Sequence, residues 1–357
     1  IRIGYQLMKI VSLFSGCGGL DLGFEKAGFD VIWANEYDKN FWDTYRHNFP
    51  KTTLVTDSIT KIKTDDIPDC DGIIGGPPCQ SWSSIGTHKG INDSRGQLFL
   101  QDYIRIIKAK KPKFFLAENV PGLMYEKHSK ARNQILNKLK NLGYNVSYQL
   151  MNTNDYDVPQ TRNRMIIIGY ASGYENFFQP PMPQEIKPTL GDTIHNLYKR
   201  DPNPPKVRTG GRVNKNLAIP NHEFMDTSYS YIYMSRNRVR AWDEPSFTIQ
   251  ASGRHAPCHP QAPKFTQRIP RVKDSLKFKH GHTKQYRRLT VRECATIQTF
   301  PSDFVFKYDY IDHGYKMIGN AVPVNFAKAI GQTVHKDMTR LSNQPLDFSL
   351  KGKILRF

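Results

Sequence analysis

Short apolar segments alternate with helix-like segments over residues 8–170, and this alternation constrains the fold more than any other feature. The apolar segments are rich in β-branched and aromatic residues, as in KIVSLF, DVIWAN, KFFLAEN and RMIIIGY. Between them, segments such as LDLGFEKAG and SKARNQILNKLKNLG carry apolar residues at helical spacing and end in Lys or Gly. Strands that alternate with helices are typical of a parallel, doubly wound sheet, so we predict an α/β fold.

The pattern changes near residue 173, where clustered Pro and Gly replace the apolar periodicity. Residues 199–288 contain 19 Lys and Arg against six Asp and Glu, so they carry +13 of the formal net charge of +19. Aromatic residues are interleaved with the basic ones. This composition indicates a second module whose surface meets the phosphates and bases of a nucleic acid.

Composition also excludes several classes of protein. No stretch of about 18 apolar residues is present, so we expect no membrane span. The five cysteines are scattered without C-x-x-C spacing, which indicates a reducing compartment, and we expect a cytoplasmic protein. Residues 1–7 lack the apolar core and cleavage site of a signal peptide, and we expect this upstream extension to have no function.

A glycine-rich turn, FSGCGGL at residues 14–20, follows the first strand and opens a helix. Its spacing differs from the phosphate-binding pattern G-x-G-x-x-G. Glu36 follows the second strand and Asp57 the third, at positions where a carboxylate suits ribose hydroxyls. These features favour an adenosine compound without phosphates, such as S-adenosylmethionine, although the glycine motif alone would equally fit a structural turn.

A constrained loop, GGPPC at residues 75–79, follows the fourth strand. Its prolines stiffen the backbone and a buried structural cysteine needs no such loop, so we predict that Cys79 is a nucleophile. Glu118 ends the fifth strand and could act as a general acid toward a ring nitrogen, or merely cap a helix. Because side chains alternate along a strand, Arg162 and Arg164 should lie on the same side of it. There they could bind a phosphate, orient a carboxylate or lie as surface charges.

Five ordered motifs resemble those of the DNA (cytosine-5) methyltransferases. They are GGPPCQ at 75–80, ENV at 118–120, QTRNR at 160–164, RRLTVREC at 287–294 and GNAVP at 319–323. The resemblance extends from Met8 to about residue 331, and the basic segment is most similar to type II modification enzymes that recognise GGCC. It implies a class I methyltransferase dependent on S-adenosylmethionine, with a Rossmann-like doubly wound sheet and a smaller basic target-recognition domain.

The resemblance also implies a division of the chain and a mechanism. Residues 1–172 would form the catalytic domain, 173–308 the target-recognition domain and hinge, and 309–357 a C-terminal helix that returns to the catalytic domain. Cys79 would add to C6 of a flipped-out cytosine while Glu118 protonates or hydrogen-bonds N3. Arg162 and Arg164 would favour the thiolate, and C5 would take the methyl group from S-adenosylmethionine.

The cofactor site of the family corresponds to residues from five segments of this chain. They are Phe14, Ser15, Gly16, Gly18, Gly19, Leu20, Glu36, Asp57, Pro78, Asn320 and Val322. Cys17 stands where many relatives have Ala, and we expect it to have no catalytic role.

Two groups of residues are expected to contact DNA. The Gly- and Ser-rich segment after Cys79 is similar to the family's loop that closes over the flipped base. Ser84 and Arg95 lie in this segment, so we expect both to contact DNA. Arginine bidentate to guanine is the commonest specific base contact, so we predict base reading by three arginines. They are Arg236, Arg238 and Arg254.

We therefore predict an enzyme that acts on duplex DNA as a monomer, as the modification half of a bacterial restriction-modification system with a companion endonuclease. An RNA cytosine methyltransferase and a catalytically silent DNA-binding regulator are the alternatives. The RHAPCH sequence at 254–259, with His280 and His282, resembles a zinc ligand set but lacks a second cysteine pair, so we expect no metal.

Overall fold

A sheet of eight strands forms the centre of the computed structural model. The structure describes residues 7–78, 98–173, 177–265, 267–268, 276–341, 346, 348–349 and 351–356. The strands in these ranges are β1 (Met8–Leu13), β2 (Phe29–Asn35), β3 (Thr53–Val55), β4 (Gly72–Gly75), β5 (Phe114–Asn119), β6 (Tyr144–Asn152), β7 (Asn163–Ala171), β8 (Lys206–Arg208), β9 (Phe224–Asp226), β10 (Gln267–Arg268), β11 (Leu276–Lys277) and β12 (Ile354–Arg356).

Helices cover the sheet and build the second module. They are α1 (Gly19–Lys26), α2 (Lys39–Asn48), α3 (Ile104–Lys110), α4 (Ser129–Asn141), α5 (Leu190–Arg200), α6 (Tyr231–Met234), α7 (Val291–Ile297), α8 (Ile311–Asn320) and α9 (Val324–Leu341). A π-helical turn, Phe99–Tyr103, leads into α3. In the described parts of the chain, no helix is both long and apolar enough to cross a membrane.

The order of the central sheet is β12-β6-β7-β5-β4-β1-β2-β3. Neighbouring strands are parallel except at β7, which runs antiparallel to both β5 and β6. The predicted parallel, doubly wound sheet thus contains one reversed strand, β7. The ten residues between β6 and β7 are too few for a crossover, which takes about a dozen residues or more, so the chain turns straight back.

The carboxyl ends of β1, β2, β4 and β5 meet at one edge of the sheet and place the predicted site segments together. Because β7 is reversed, it brings its amino end to this edge. Asn119 at the end of β5 is paired with Met165, near the start of β7. The reversed strand thus delivers the arginine motif to the ends of the other strands.

Two apolar cores lie on either side of the glycine-rich turn. The first surrounds the sheet and includes α9, which packs closely on α1: a Cβ atom added to Gly23 would lie 2.3 Å from the Cβ of Ala327. The second joins α2 to α7 and α8, with Phe41 and Tyr45 in the same cluster as Tyr315. A small aromatic cluster follows in residues 233–286.

Candidate active site

Glu118 and Arg164 form a buried ion pair at the edge where β4 and β5 end. Arg164 Nε lies 2.7 Å from Glu118 Oε1, and the two side chains are 11% and 12% exposed respectively. Arg164 is the second residue of β7, so the reversed strand is what brings it to this carboxylate. Removing either partner would leave a poorly solvated charge unpaired. The ion pair therefore holds the Glu118 carboxylate in one place.

The backbone that leads toward Cys79 passes directly beside this carboxylate. A Cβ atom added to Gly76 would lie 3.5 Å from Glu118 Oε2. Asn119 Nδ2 donates a hydrogen bond of 3.3 Å to the carbonyl oxygen of Pro77. The last two residues of β5 thus contact the segment that precedes the predicted nucleophile.

Three site residues from the sequence analysis fall in residues 79–97, outside the part of the chain that the structure describes. They are Cys79, Ser84 and Arg95. Pro78 is the last residue described before this segment, and it is half-buried. The roles of the three residues stay predictions.

Arg162 lies in a different environment from Arg164, and its assignment to the catalytic group stays a prediction. Its side chain is 1% exposed, and Nη1 donates to the carbonyl oxygen of Ile249 at 2.9 Å. Nη2 donates to the carbonyl oxygens of Gly319 at 2.9 Å and Ala321 at 3.0 Å. A buried guanidinium needs acceptors of this kind. Through these hydrogen bonds Arg162 joins two backbone segments.

The glycine-rich turn after β1 has a backbone conformation that favours glycine. The φ angle is +58° at Gly16 and +88° at Gly18, and even Phe14 has a φ of +56°. A Cβ atom on Gly16 would meet nothing within 4 Å, so the turn borders open space. Ser15 and Leu20 on its flanks are buried. The turn forms an open cradle at the amino end of α1.

Glu36 joins this turn to the end of β2. Its Oε2 accepts a hydrogen bond of 2.9 Å from the Gly16 N–H, and its Oε1 accepts one of 2.6 Å from the Asp38 N–H. Burial raises the pKa of the Glu36 carboxyl group, while these two N–H donors act to lower the pKa. The carboxylate is thus held at the rim of the cradle.

Two further side chains lie at the strand ends beside Glu36. Asp57 follows β3 and is exposed, and its carbonyl oxygen accepts a hydrogen bond of 2.9 Å from Asn35 Nδ2. Tyr37 is 71% exposed and was missed by the sequence analysis. The sequence shows only an aromatic residue directly after Glu36, and its exposure is visible in the structure alone.

The segment before α9 closes the cradle from the other side. The carbonyl oxygen of Val322 lies 2.4 Å from the position that a Cβ atom on Gly19 would occupy. Val322 is buried, whereas Asn320 is exposed. The structure therefore brings Val322 beside the turn that follows the first strand, and Asn320 lies two residues before it.

The three arginines predicted to read bases differ in exposure. Arg236 and Arg254 are exposed, as a base contact requires. Arg238 is 9% exposed, its guanidinium lies 4.9 Å from the ring centre of Tyr233, and its Nε donates to the carbonyl oxygen of that residue. Burial and the charges of neighbouring arginines, Arg238 foremost, lower the pKa of His255. Positive charge is therefore concentrated here.

The cysteine and histidine of the RHAPCH segment have protein partners. Cys258 is buried with its Sγ 3.3 Å from the Tyr233 hydroxyl. His259 is buried, and its Nδ1 accepts a hydrogen bond of 3.1 Å from the Gln261 N–H. Among the described residues, no group of three or more His, Cys, Asp or Glu side chains could hold a metal ion.

Comparison with known proteins decides the family. A family model described as C-5 cytosine-specific DNA methylase matches residues 8–336. The chain belongs to this family. The type II methyltransferase M.NgoPII of Neisseria gonorrhoeae is 49% identical to this DNA methylase over 342 residues, which cover 94% of this chain and 98% of that protein. The type II methyltransferase M.MthTI of Methanothermobacter thermautotrophicus is 47% identical over 336 residues, which cover 94% of this chain and 99% of that protein.

A solved structure is also similar to this DNA methylase. A DNA modification methyltransferase encoded within an Escherichia coli prophage has 25% sequence identity and a TM-score of 0.71, and the match covers 93% of this chain and 99% of that chain. Two sequence predictions are thereby confirmed: the methyltransferase α/β fold and the activity of a DNA (cytosine-5) methyltransferase. DNA is the substrate that the family implies.

Proposed function

We propose that this DNA methylase transfers a methyl group from S-adenosylmethionine to C5 of a cytosine flipped out of duplex DNA. The Glu118–Arg164 pair carries the proposal, because it holds a carboxylate beside the segment that leads to Cys79. The glycine cradle opens at the same edge of the sheet. A nucleophile, a group for the cytosine ring and a cofactor cradle would thus share one crevice.

The residues of the cradle fit S-adenosylmethionine. The Glu36 carboxylate can accept hydrogen bonds from ribose hydroxyls, and Asp57 lies at the neighbouring strand end. The exposed ring of Tyr37 offers a surface on which adenine can stack. The open space at Gly16 leaves room for the ligand close to the backbone, and Val322 lies beside Gly19. We propose that Pro78 and Asn320 form the other walls. When bound, S-adenosylmethionine supplies a methyl group on a positively charged sulfur.

The side chains of the crevice would activate the cytosine. The Cys79 thiolate forms a bond to C6 as the C5–C6 π electrons move toward C5. For this step Glu118 would act in its protonated form, and it would donate its proton or a hydrogen bond to N3, which disperses the negative charge that develops on the ring. Arg164 holds the Glu118 carboxylate through the ion pair of 2.7 Å. C5 would then bond to the methyl group as the bond between that methyl and the cofactor sulfur breaks. A base would take the C5 proton, and the C–H electrons would restore the C5–C6 double bond as the Sγ–C6 bond breaks and Cys79 leaves as the thiolate.

The proposed target site is GGCC. The exposed Arg236 and Arg254 could each bind guanine O6 and N7, and GGCC offers two guanines on each strand. Relatives that are named type II methyltransferases support a role as the modification half of a restriction-modification system. We also propose a monomer that works beside a companion endonuclease in the bacterial cytoplasm.

Covalent trapping tests this function. A duplex whose inner GGCC cytosine is replaced by 5-fluorocytosine should give a denaturant-resistant adduct in the presence of S-adenosylmethionine, because fluorine blocks the final proton loss. Cys79→Ala and a scrambled site should each abolish the adduct. An adduct on random DNA would overturn the GGCC assignment alone. No adduct on any DNA would overturn the proposal, and methylation of tRNA would then favour the RNA alternative.

A further inference from the structure

A chain of buried side-chain amides connects the arginine motif, the base-reading segment and the cofactor segment. The N–H of Ile249 donates to Gln160 Oε1 at 2.8 Å. Gln160 Nε2 in turn donates to Gln298 Oε1 at 2.8 Å. Gln298 Nε2 then donates to the carbonyl oxygens of Ile318 at 2.6 Å and Ala321 at 3.3 Å. Both glutamines are fully buried, so these hydrogen bonds have no competition from water.

Arg162 makes a second connection between the same two backbone segments. Through its two terminal nitrogens it bridges the carbonyl oxygen of Ile249 to those of Gly319 and Ala321. The Ile249 peptide groups are therefore held at both the N–H and the carbonyl oxygen. A shift of either segment would break hydrogen bonds that buried groups cannot replace with water.

The segments are also in close backbone contact. A Cβ atom on Gly319 would lie 2.2 Å from the carbonyl carbon of Gln250, so only glycine fits there. Thr161 N–H donates to the carbonyl oxygen of Ser246, and Thr248 Oγ1 donates to that of Thr161. Movement of residues 318–321 would therefore be transmitted to residues 246–250.

Each end of this connection leads to a different ligand. Residues 318–321 include Asn320 and lead directly to Val322, whose carbonyl oxygen lies beside Gly19 of the cradle. Residues 246–250 continue into the 3₁₀ turn Gly253–His255, which presents the exposed Arg254. A ligand that fixes one segment lowers the conformational freedom of the other, which is a physical basis for coupling between two sites.

We propose that Gln160, Arg162 and Gln298 are positioning residues that couple cofactor binding to reading of the DNA site. The proposal rests on the proposed function, since it needs a cofactor at residues 320–322 and DNA at Arg254. Binding of the cofactor orders the 249–254 segment through the two buried glutamines and the arginine. The enzyme then binds its site more tightly when it is loaded with cofactor.

The coupling is measured as a ratio of DNA affinities. The affinity for a GGCC duplex is determined by fluorescence anisotropy without and with saturating S-adenosylhomocysteine, the demethylated product. The wild type should bind the duplex at least about fivefold more tightly with the product present. Calorimetry must show the same ratio for the product with and without DNA, because coupling free energies are reciprocal.

Gln298→Met tests the amide chain, since methionine keeps the shape and removes both hydrogen-bonding groups. We expect the Gln298→Met enzyme to bind DNA alone and S-adenosylhomocysteine alone as the wild type does. Its ratio of DNA affinities with and without S-adenosylhomocysteine should fall toward one. Asn48→Leu is the matched control: Asn48 is an amide that joins α2 to Val305 through two hydrogen bonds, outside the chain. This variant should keep the wild-type ratio. An equal loss in both variants, or a full ratio in Gln298→Met, would overturn the proposal.

A second measurement uses the unaltered enzyme, so it does not depend on a variant that folds. Hydrogen exchange of residues 246–252 should slow when S-adenosylhomocysteine binds without DNA, because the Ile249 N–H is held by Gln160. Unchanged exchange there would contradict the coupling. A wild type that binds both ligands with a ratio of one would refute only this inference, whereas one that binds neither would refute the proposed function.

Discussion

The Glu118 side chain takes its position from a residue on another strand. Arg164 belongs to β7, and its ion pair with Glu118 is nearly excluded from solvent. Glu118 Oε2 points past Gly76, toward the backbone that leads to the predicted nucleophile. Substitution of Glu118 should therefore lower the rate of methyl transfer more than substitution of a carboxylate in a surface ion pair.

We expect Glu118→Gln to lower the rate of methyl transfer by about 10²–10⁴-fold, the range that a general acid contributes. Single-turnover kinetics with saturating DNA and S-adenosylmethionine measure this rate. Asp69→Asn, which breaks the surface pair with Lys110, is the control and should leave the rate unchanged. Full activity in Glu118→Gln would exclude a catalytic role for this residue.

Asp21 gives a stability prediction with a definite pH dependence. It is fully buried, and burial raises the pKa of its carboxyl group to about 6, although hydrogen bonds from Tyr45 and Ser12 lower the pKa. The folded protein thus binds a proton more tightly than the unfolded chain does. The charged form costs the fold roughly 3 kcal/mol at neutral pH, and this cost disappears as the pH falls through 6 toward 4.

Asp21→Asn should accordingly raise the free energy of unfolding by about 1–3 kcal/mol at pH 7.5 and by little at pH 4. Urea unfolding at a series of pH values measures the difference. The exposed Asp66 supplies a control, because Asp66→Asn should leave the pH dependence unchanged. A gain that is the same at every pH would show that removal of a buried charge is not its cause.

The surroundings of individual residues were harder to predict than the motifs that contain them. Sequence alternation places Arg162 and Arg164 on one side, but it gives no information about which buried acceptors each guanidinium reaches. Arg238 lies in a basic run, yet it packs against Tyr233. Tyr37 was missed because its exposure depends on the path of the loop after β2.

At the scale of elements, the sequence predicted the seven strands of residues 8–171 and the helices that are strongly periodic. It missed α2, α5, α6, α8 and β8–β12, as well as the direction of β7. The missed helix α2 is rich in polar and aromatic residues, and its side chains pair with the distant segment 305–307 through Thr44 and Asn48. Tertiary contacts of this kind leave no periodic signal in the sequence.

The packing of α9 on α1 gives a prediction at this scale. We expect Gly23→Ala to destabilise the protein by about 1–3 kcal/mol, because the new methyl group would overlap Ala327 and the α9 backbone. Thermal unfolding measures the loss. Ala327→Gly in the same chain should restore part of it by removing the nearest atom. A neutral Gly23→Ala variant would contradict the close packing of the two helices.

The whole molecule combines a focused positive charge with a continuous core. The second apolar cluster contains residues of α2 together with residues of α7 and α8, so the predicted catalytic and recognition domains are packed on each other. Their boundaries at 172 and 308 stay predictions. The formal net charge of +19 is concentrated in the recognition part of the chain, where a polyanion would be attracted.

DNA binding should therefore depend steeply on salt. We expect the logarithm of the association constant to fall with the logarithm of salt concentration at a slope of about −5 to −9, as for six to ten phosphate contacts. Titrations between low and moderate salt measure the slope. A scrambled duplex should give a similar slope, since phosphate contacts are independent of sequence. A slope near zero on both duplexes would contradict an electrostatic interface.

The last strand has a consequence for the behaviour of the protein in concentrated solution. β12 is the edge strand of the central sheet and pairs with Val146–Tyr148. It therefore covers part of β6, a strand of nine residues that would otherwise form the edge. An uncovered edge of this length presents free backbone groups to other chains and promotes aggregation. A variant that ends at Leu341 should therefore precipitate, as measured by light scattering, even where fresh enzyme still methylates DNA. The three residues of β12 would thus limit self-association of the protein.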